Sequence, residues 1–269
     1  MGKILCSVST RGRYMTTLLS VLQSIAMQTR LPDKLVVFDD TDPPSDLRQH
    51  LLYRYLFAIF DLKGLSWEWR SGERKGPHYN HQLANKMGFE WVWRVDDDTV
   101  AEPDVLEKLW AQVADDVGAV GCSVLSPPFR TTEVNATGRI EMVTTEPNVQ
   151  WGFITSTREV DHLHCSFLYR AGIVDYNLEL SRIAGREETL FTYELKQRGY
   201  RLLVTPGVLW HFIHQYGGIR DGYQELRAHD EKIFLARVEA LKHSSRDRES
   251  PTSSRDRPTS RPNLTVEEP

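Results

Sequence analysis

The period of the apolar residues changes several times along the first half of the chain, and each change marks an element. Ile4, Cys6 and Val8 alternate with their neighbours into Ser9-Thr10-Arg11-Gly12, as a strand does, and Met15, Leu18, Leu19, Leu22, Ile25 and Ala26 then recur at helical spacing. Leu35-Val36-Val37-Phe38 is a second short strand that runs into Asp39-Asp40. The same reading predicts helix over 47–60, strand over 65–69, helix over 79–87, and a strand over 91–95 ending at Asp96-Asp97-Asp98. A helix over about 103–113 and a buried strand over 118–125 follow. Strands alternating with helices in this way predict an α/β fold, a Rossmann-like, mostly parallel central sheet flanked by helices. Ligands of such sheets lie beyond the strand C-terminal ends, so Thr10, Asp39-Asp40 and the aspartate triplet are expected to face one crevice.

The second half is less regular. Residues 126–160 carry Pro127-Pro128 and Asn135-Ala136-Thr137-Gly138 and read as loop with short antiparallel strands, a smaller mixed region beside the main sheet. Strand is predicted over 164–169, helix over 187–197 closed by Gly199, strand over 200–204 ending at Pro206-Gly207, and a last helix over about 223–241. From His243 the composition shifts to Ser, Arg, Asp, Pro and Thr, too poor in apolar residues to offset the entropy of ordering. Residues 243–269 are therefore expected to be a disordered tail after a domain spanning 1–242.

Composition narrows the function classes. With 33 basic and 37 acidic side chains the formal charge is −4, which gives no electrostatic case for nonspecific nucleic-acid binding. The longest dense apolar run, residues 51–62, is broken by Arg54 and Asp61, so no membrane span is expected. A strand pattern begins at Ile4, which leaves no apolar signal region ahead of it, and Cys6, Cys122 and Cys165 are too few for a disulfide framework. These features predict a cytoplasmic protein with reduced thiols.

Candidate chemistry starts with the triplet. If the strand continued through it, Asp96 and Asp98 would share one face and Asp97 the other. Two carboxylates on one face suit a hard divalent ion such as magnesium or manganese, which keeps positions for phosphates and water. The alternative is that Asp98 caps the following helix.

Spacing adds a resemblance. Tyr79-Asn80-His81-Gln82, the run from Trp91 to Thr99, and Phe38-Asp39-Asp40-Thr41 before them resemble the family 2 inverting glycosyltransferases with the A-type (GT-A) fold. Glu187-Glu188, with Gly199 eleven residues after its second member, looks like that family's acidic pair, and Val8-Ser9-Thr10-Arg11-Gly12-Arg13, Gln28-Thr29 and Pro32 are also similar. The resemblance covers roughly residues 3–215. It implies a nucleotide-sugar-binding half over about 1–125 and an acceptor half over 126–242. It implies that Thr10, with Arg11 beside it, lines the nucleotide pocket, that Asp40 with Asp39 reads base and ribose, and that Asn80 helps hold the nucleotide. Asp96 and Asp97 then face the donor, while Asp96 and Asp98 hold Mn2+ or Mg2+ against the diphosphate. His211 matches a position where some relatives carry a metal- or diphosphate-contacting histidine, with His214 competing for that role.

Inverting displacement needs a base for the acceptor hydroxyl. The resemblance implies Glu188, in place of the family's usual Asp, with Glu187 in reserve; Arg186 beside them is able to divert either into a salt bridge. Trp151 is the candidate aromatic of the acceptor site. Asp161-His162-Leu163-His164-Cys165 lacks partners at zinc-ligand spacing and is not read as a zinc site. The function implied is transfer of a sugar from a nucleotide diphosphate sugar to a hydroxyl on a glycan, a protein, a small molecule or a modified nucleic-acid base. Two other readings stay open: a nucleotidyltransferase of similar fold, weakened by the single glycine in Thr10-Arg11-Gly12-Arg13, and a carbohydrate- or nucleotide-sugar-binding protein without catalysis.

Overall fold

The computed structural model describes residues 2–43, 45–125, 152–212 and 222–249, with side chains described through His243. Trp151, His214 and the segments 126–151, 213–221 and 250–269 lie outside the described residues. Along the chain come β1 (Ile4–Thr10), α1 (Leu18–Ala26), β2 (Lys34–Asp39), α2 (Leu51–Leu62), β3 (Ser66–Ser71), α3 (Pro77–Asn85), β4 (Trp91–Asp96), β5 (Thr99–Ala101) and α4 (Val105–Trp110). Then follow β6 (Val117–Leu125), β7 (Arg158–Val160), β8 (Phe167–Arg170), α5 (Glu187–Gln197), β9 (Arg201–His211) and α6 (Tyr223–Glu249).

One nine-stranded sheet joins them in the order β3-β2-β1-β4-β8-β6-β9-β5, with β7 also paired to β9. β1 to β4, β6 and β9 point the same way, and β5, β7 and β8 run against them, so the sheet is mostly parallel as expected. Strand alternation explains how β1 serves two cores. Ile4, Cys6 and Val8 pack on one face with Leu18, Leu22 and Ile25 of α1 and Leu56 and Phe60 of α2. Leu5 packs on the other with Ala84 of α3 and Phe191 and Leu195 of α5. Covering both faces is what lets β2 and β6 read as unbroken apolar runs. Among the described residues no helix is long and apolar enough to cross a membrane.

Three departures from the sequence reading bear on the site. β4 stops at Asp96 and the chain turns, because Thr99–Ala101 leaves to pair with Leu209, Trp210 and His211 of β9. A three-residue strand is too short to leave a period in the sequence. Pro206-Gly207 does not end the last strand. The register with β6 steps from Cys122↔Thr205 to Ser123↔Val208, so the pair forms a bulge, where proline's missing N–H costs no ladder bond, and β9 runs on to deliver His211. The last helix passes the composition change at His243 and continues to Glu249. Phe234 and Val238 anchor it on Leu190 and Tyr193 of α5, and a helix once nucleated propagates at one hydrogen bond per residue.

Candidate active site

The turn after β4 and the start of α5 open into one cavity of about 370 Å³ at the C-terminal ends of the parallel strands, the place expected in this class of sheet. Asp96, Asp97, Asp98, Glu187, Glu188 and His211 all line it, together with Arg13 and Arg94. Because residues 97–98 turn, the face alternation expected of a strand does not apply, and each aspartate has its own partner. Asp96 accepts from Arg94 Nη2 at 2.8 Å, and its backbone N–H donates to Ser166 Oγ at 2.9 Å. Asp97 reaches back to β1, accepting from Thr10 Oγ1 at 2.8 Å and from the Arg11 N–H at 3.4 Å, with Arg13 Nε at 3.4 Å. Asp98 pairs with Arg13 Nη1 and lies 3.5 Å from His211 Nε2. It does not cap α4, whose N-cap is Asp104, since β5 intervenes.

These environments separate the carboxylates. Burial, with the charges of Asp98 and Asp96 added, pushes Asp97 up to about 7 despite Arg13. Burial also works against an ionised Asp98, but His211 and Arg13 outweigh it and hold that group below the usual range. His211 is raised: burial opposes its charged form, and Asp98 more than compensates. The other ring nitrogen, Nδ1, lies 3.7 Å from Cys165 Sγ.

Both glutamates occupy the first turn of α5, after Ala184 (φ 51°) and Arg186 (φ 69°), each in the left-handed region that non-glycine residues rarely adopt. Glu187 turns inward to Arg94 Nη1 at 2.6 Å, the two side chains 4% and 3% exposed. Burial pushes it up to about 8, with Glu188 and Asp96 adding to the rise. Glu188 is 16% exposed and accepts from His164 Nδ1 at 2.8 Å. Burial would raise it as well, yet the hydrogen bond and charge of His164, with Arg94 behind, hold it at about 2. Arg186 diverts neither glutamate: its Nε meets Glu231 of α6 at 3.1 Å and its guanidinium lies over the Phe234 ring.

The nucleotide-side candidates fall just outside this cavity. Thr10 and Arg11 hold the Asp97 turn. Asp40 accepts from the backbone N–H groups of Arg74 and Gly76 at 3.2 and 3.3 Å, and a Cβ on Gly72 would overlap its carboxylate, so a side chain there would displace Asp40. Asn80 donates to Ser9 Oγ at 2.8 Å, and Ser9 lines the cavity. Asp39 accepts from Tyr14 Oη and from the Thr41 N–H, and opens on a separate cavity of about 480 Å³ walled by Phe57, Trp67 and Trp69. Gln28 is structural: its amide bridges the Glu102 carbonyl and the Leu106 N–H at the start of α4.

Sequence reasoning missed Arg13, Arg94, His164 and Asp230. Arg94 had a signal, a cation inside the apolar run Trp91-Val92-Trp93-Arg94-Val95, since a buried charge is informative where an exposed one is not. Asp230 had none. It is fully buried on α6 and accepts from Ser181 N–H at 2.6 Å, Ser181 Oγ at 2.9 Å and Gly185 N–H at 2.7 Å, fixing the loop that leads into the glutamate pair.

The profile of Glycosyl transferase family 2 matches residues 8–175. The chain belongs to that family. Solved structures share the fold at low identity: Staphylococcus aureus TarS (TM-score 0.55, 17% identity, 87% of this chain and 43% of that one) and GalNAc-T7 with UDP, GalNAc and Mn2+ (0.61, 14%, 79% and 44%). A third is the mannosyltransferase PcManGT from Pyrobaculum calidifontis with GDP-Man and Mn2+ (0.60, 18%, 88% and 64%). The chain thus spans less than half of TarS and of GalNAc-T7. TarS residues 1–349 have also been solved with UDP-GlcNAc. No curated protein sequence matches the chain.

Proposed function

We propose that this protein transfers a sugar from a nucleotide diphosphate sugar to a hydroxyl acceptor, with inversion and with help from a divalent ion. The observation that carries the reading is the shared cavity, in which the aspartate turn and Glu188 face the same space. In-line displacement needs those two functions on opposite sides of one sugar.

The donor set fits a hard or borderline cation. Asp98 Oδ1 and His211 Nε2 stand 3.5 Å apart, a carboxylate oxygen and an imidazole nitrogen of the kinds manganese accepts. Among the described residues no three His, Cys, Asp or Glu side chains form a cage, so a divalent ion there would have to take its remaining ligands from substrate phosphate and water. Asp98 and His211 would hold it, with Asp96 alongside, and it would offset charge on the departing diphosphate. Arg13, already on the second Asp98 oxygen, adds a fixed positive charge beside the same phosphates.

Glu188, held ionised, is the group that takes the acceptor proton, a role worth roughly 10²–10⁴ in rate. Glu187 is tied to Arg94 and serves as support. The two Mn2+-bound fold relatives and the nucleotide-sugar complexes among them support the donor class; the acceptor is left to experiment.

Thermal shift with UDP-GlcNAc and GDP-mannose, each with and without Mn2+, tests the donor site on the wild type and on Asp98→Ala. A Mn2+-dependent rise in Tm for one nucleotide, lost in the variant, is expected. A shift that ignores both metal and mutation would remove the aspartate turn from the donor site.

A further inference from the structure

Four consecutive residues, Leu163 to Ser166, each touch a different part of the site. The Leu163 N–H donates to Thr192 Oγ1 at 2.9 Å, and that hydroxyl bonds back to the Glu188 carbonyl at 2.8 Å in the first turn of α5. His164 bonds the Glu188 carboxylate, Cys165 lies against His211, and Ser166 receives the Asp96 N–H. Cys165 has φ 56°, a left-handed turn at a non-glycine residue, which lets the backbone present these neighbours in different directions. The segment is buried, Leu163 completely and Cys165 to 2% exposure, so the ring between them is mounted on fixed backbone.

We propose that His164 is a positioning residue for Glu188: its Nδ1–H holds one carboxylate oxygen in place, so that the base keeps one orientation toward the acceptor. This rests on the reading of Glu188 as the base. A carboxylate only accepts, so the bonded Nδ1 carries the proton. A glutamate side chain has several rotatable bonds to order, and two nearby cations compete for it. Arg94 bonds Glu187 and Asp96, and Arg186 bonds Glu231, while His164 is the side chain that, among the described residues, hydrogen-bonds the Glu188 carboxylate. Because Leu163 is anchored to the same helical turn that carries Glu188, ring and carboxylate move as a unit.

Donor hydrolysis on UDP-GlcNAc and GDP-mannose with Mn2+ gives kcat and KM for His164→Ala, His164→Asn and Glu188→Gln. His164→Ala is expected to lower kcat about 10- to 100-fold with KM changed less than about threefold, the size of loss that follows a displaced catalytic group. His164→Asn, whose amide N–H can stand where Nδ1–H stands, is expected to recover most of that loss. Equal kcat in His164→Ala and the wild type, or equal loss in the Ala and Asn variants, would overturn the positioning role. If Glu188→Gln turns over like the wild type, the base assignment itself fails, a result distinct from failure at His164. The pairing is also read without turnover: the His164 imidazole 15N signals should move in Glu188→Gln, and unmoved signals would refute the contact.

Discussion

The aspartate turn and the glutamate pair are built alike and used differently. Each sets adjacent carboxylates against one arginine and one histidine: Arg13 and His211 at the turn, Arg94 and His164 at the helix start. In each, one acid is raised and its neighbour lowered, Asp97 against Asp98 and Glu187 against Glu188. The lowered member is the one bonded to histidine. The raised one is turned inward, Asp97 to the β1 end and Glu187 to Arg94. Two acids with environments that push them apart divide the work, one to carry charge at the site and one to fix its frame. Arg94 joins the two regions, since it binds Asp96 with Nη2 and Glu187 with Nη1.

That bridge is the place where the comparison breaks most severely. Arg94→Met removes a cation from beneath five carboxylates, Asp96, Asp97, Asp98, Glu187 and Glu188, which line the cavity with it. Removing one partner of a buried pair costs about 3–5 kcal/mol, and the loss should grow above pH about 8, where Glu187 ionises beside Arg94 but would keep its proton in the variant, since the Arg94 charge is what favours its ionised form. Denaturant unfolding measures it. The double variant Arg94→Met/Glu187→Leu should regain most of the loss, because an apolar pair of similar volume avoids the uncompensated charge. A double variant no more stable than the single one would mean that Arg94 acts through Asp96 rather than through Glu187.

Asp230 sharpens the comparison on the glutamate side, where the aspartate turn has no equivalent. Its carboxylate satisfies two backbone N–H groups and one hydroxyl of the loop before Glu187. Asp230→Ala should cost about 1–3 kcal/mol for the buried donors left unpaired, read as a lower Tm. Donor hydrolysis should fall as well, because Gly185, which stands between the left-handed residues Ala184 and Arg186, loses the carboxylate its N–H bonds. Glu231→Gln, which removes a half-exposed partner of Arg186, should cost less than about 1 kcal/mol. Equal losses in the two variants would show that α6 holds the loop by general packing.

What the sequence disclosed follows the same division. The parallel half of the sheet was legible because each strand there is long enough to show its period and ends on polar residues; β1, β2 and β4 fall where the alternation puts them. Both acidic runs were visible as charge at element ends. Their partners were not, because Arg94 and His164 act across separations of 93 and 24 residues, and no local period encodes which strand will lie beside which helix. β5 was illegible for a simpler reason, having three residues, while β7, equally short, falls within the 126–160 region read as loop with short antiparallel strands, though without bounds of its own. The order of Glu188 before Glu187 came from the resemblance, and the partners that set the two apart, Arg94 on Glu187 and His164 on Glu188, appear only in the fold.

The finest contrast is the sign of the pH dependence. Glu187 rises from 4.5 to about 8 on folding, so between those values the folded state keeps a proton that the unfolded chain releases. The stability linked to it is complete below about 4.5 and declines as pH climbs through that window. Glu188, lowered from 4.5 to about 2, acts in the opposite sense and only in acid: its contribution is present above 4.5 and lost as pH falls toward 2. One proton sets a limit of about 1.4 kcal/mol per pH unit on either slope. In Glu187→Gln the decline of Tm between pH 5 and 8 should flatten relative to the wild type, while the acid limb below pH 4.5 stays. In Glu188→Gln the acid limb should weaken and the neutral decline persist. Two variants with the same pH profile would mean that the pair titrates as one unit, and that the fold does not divide the two roles between them.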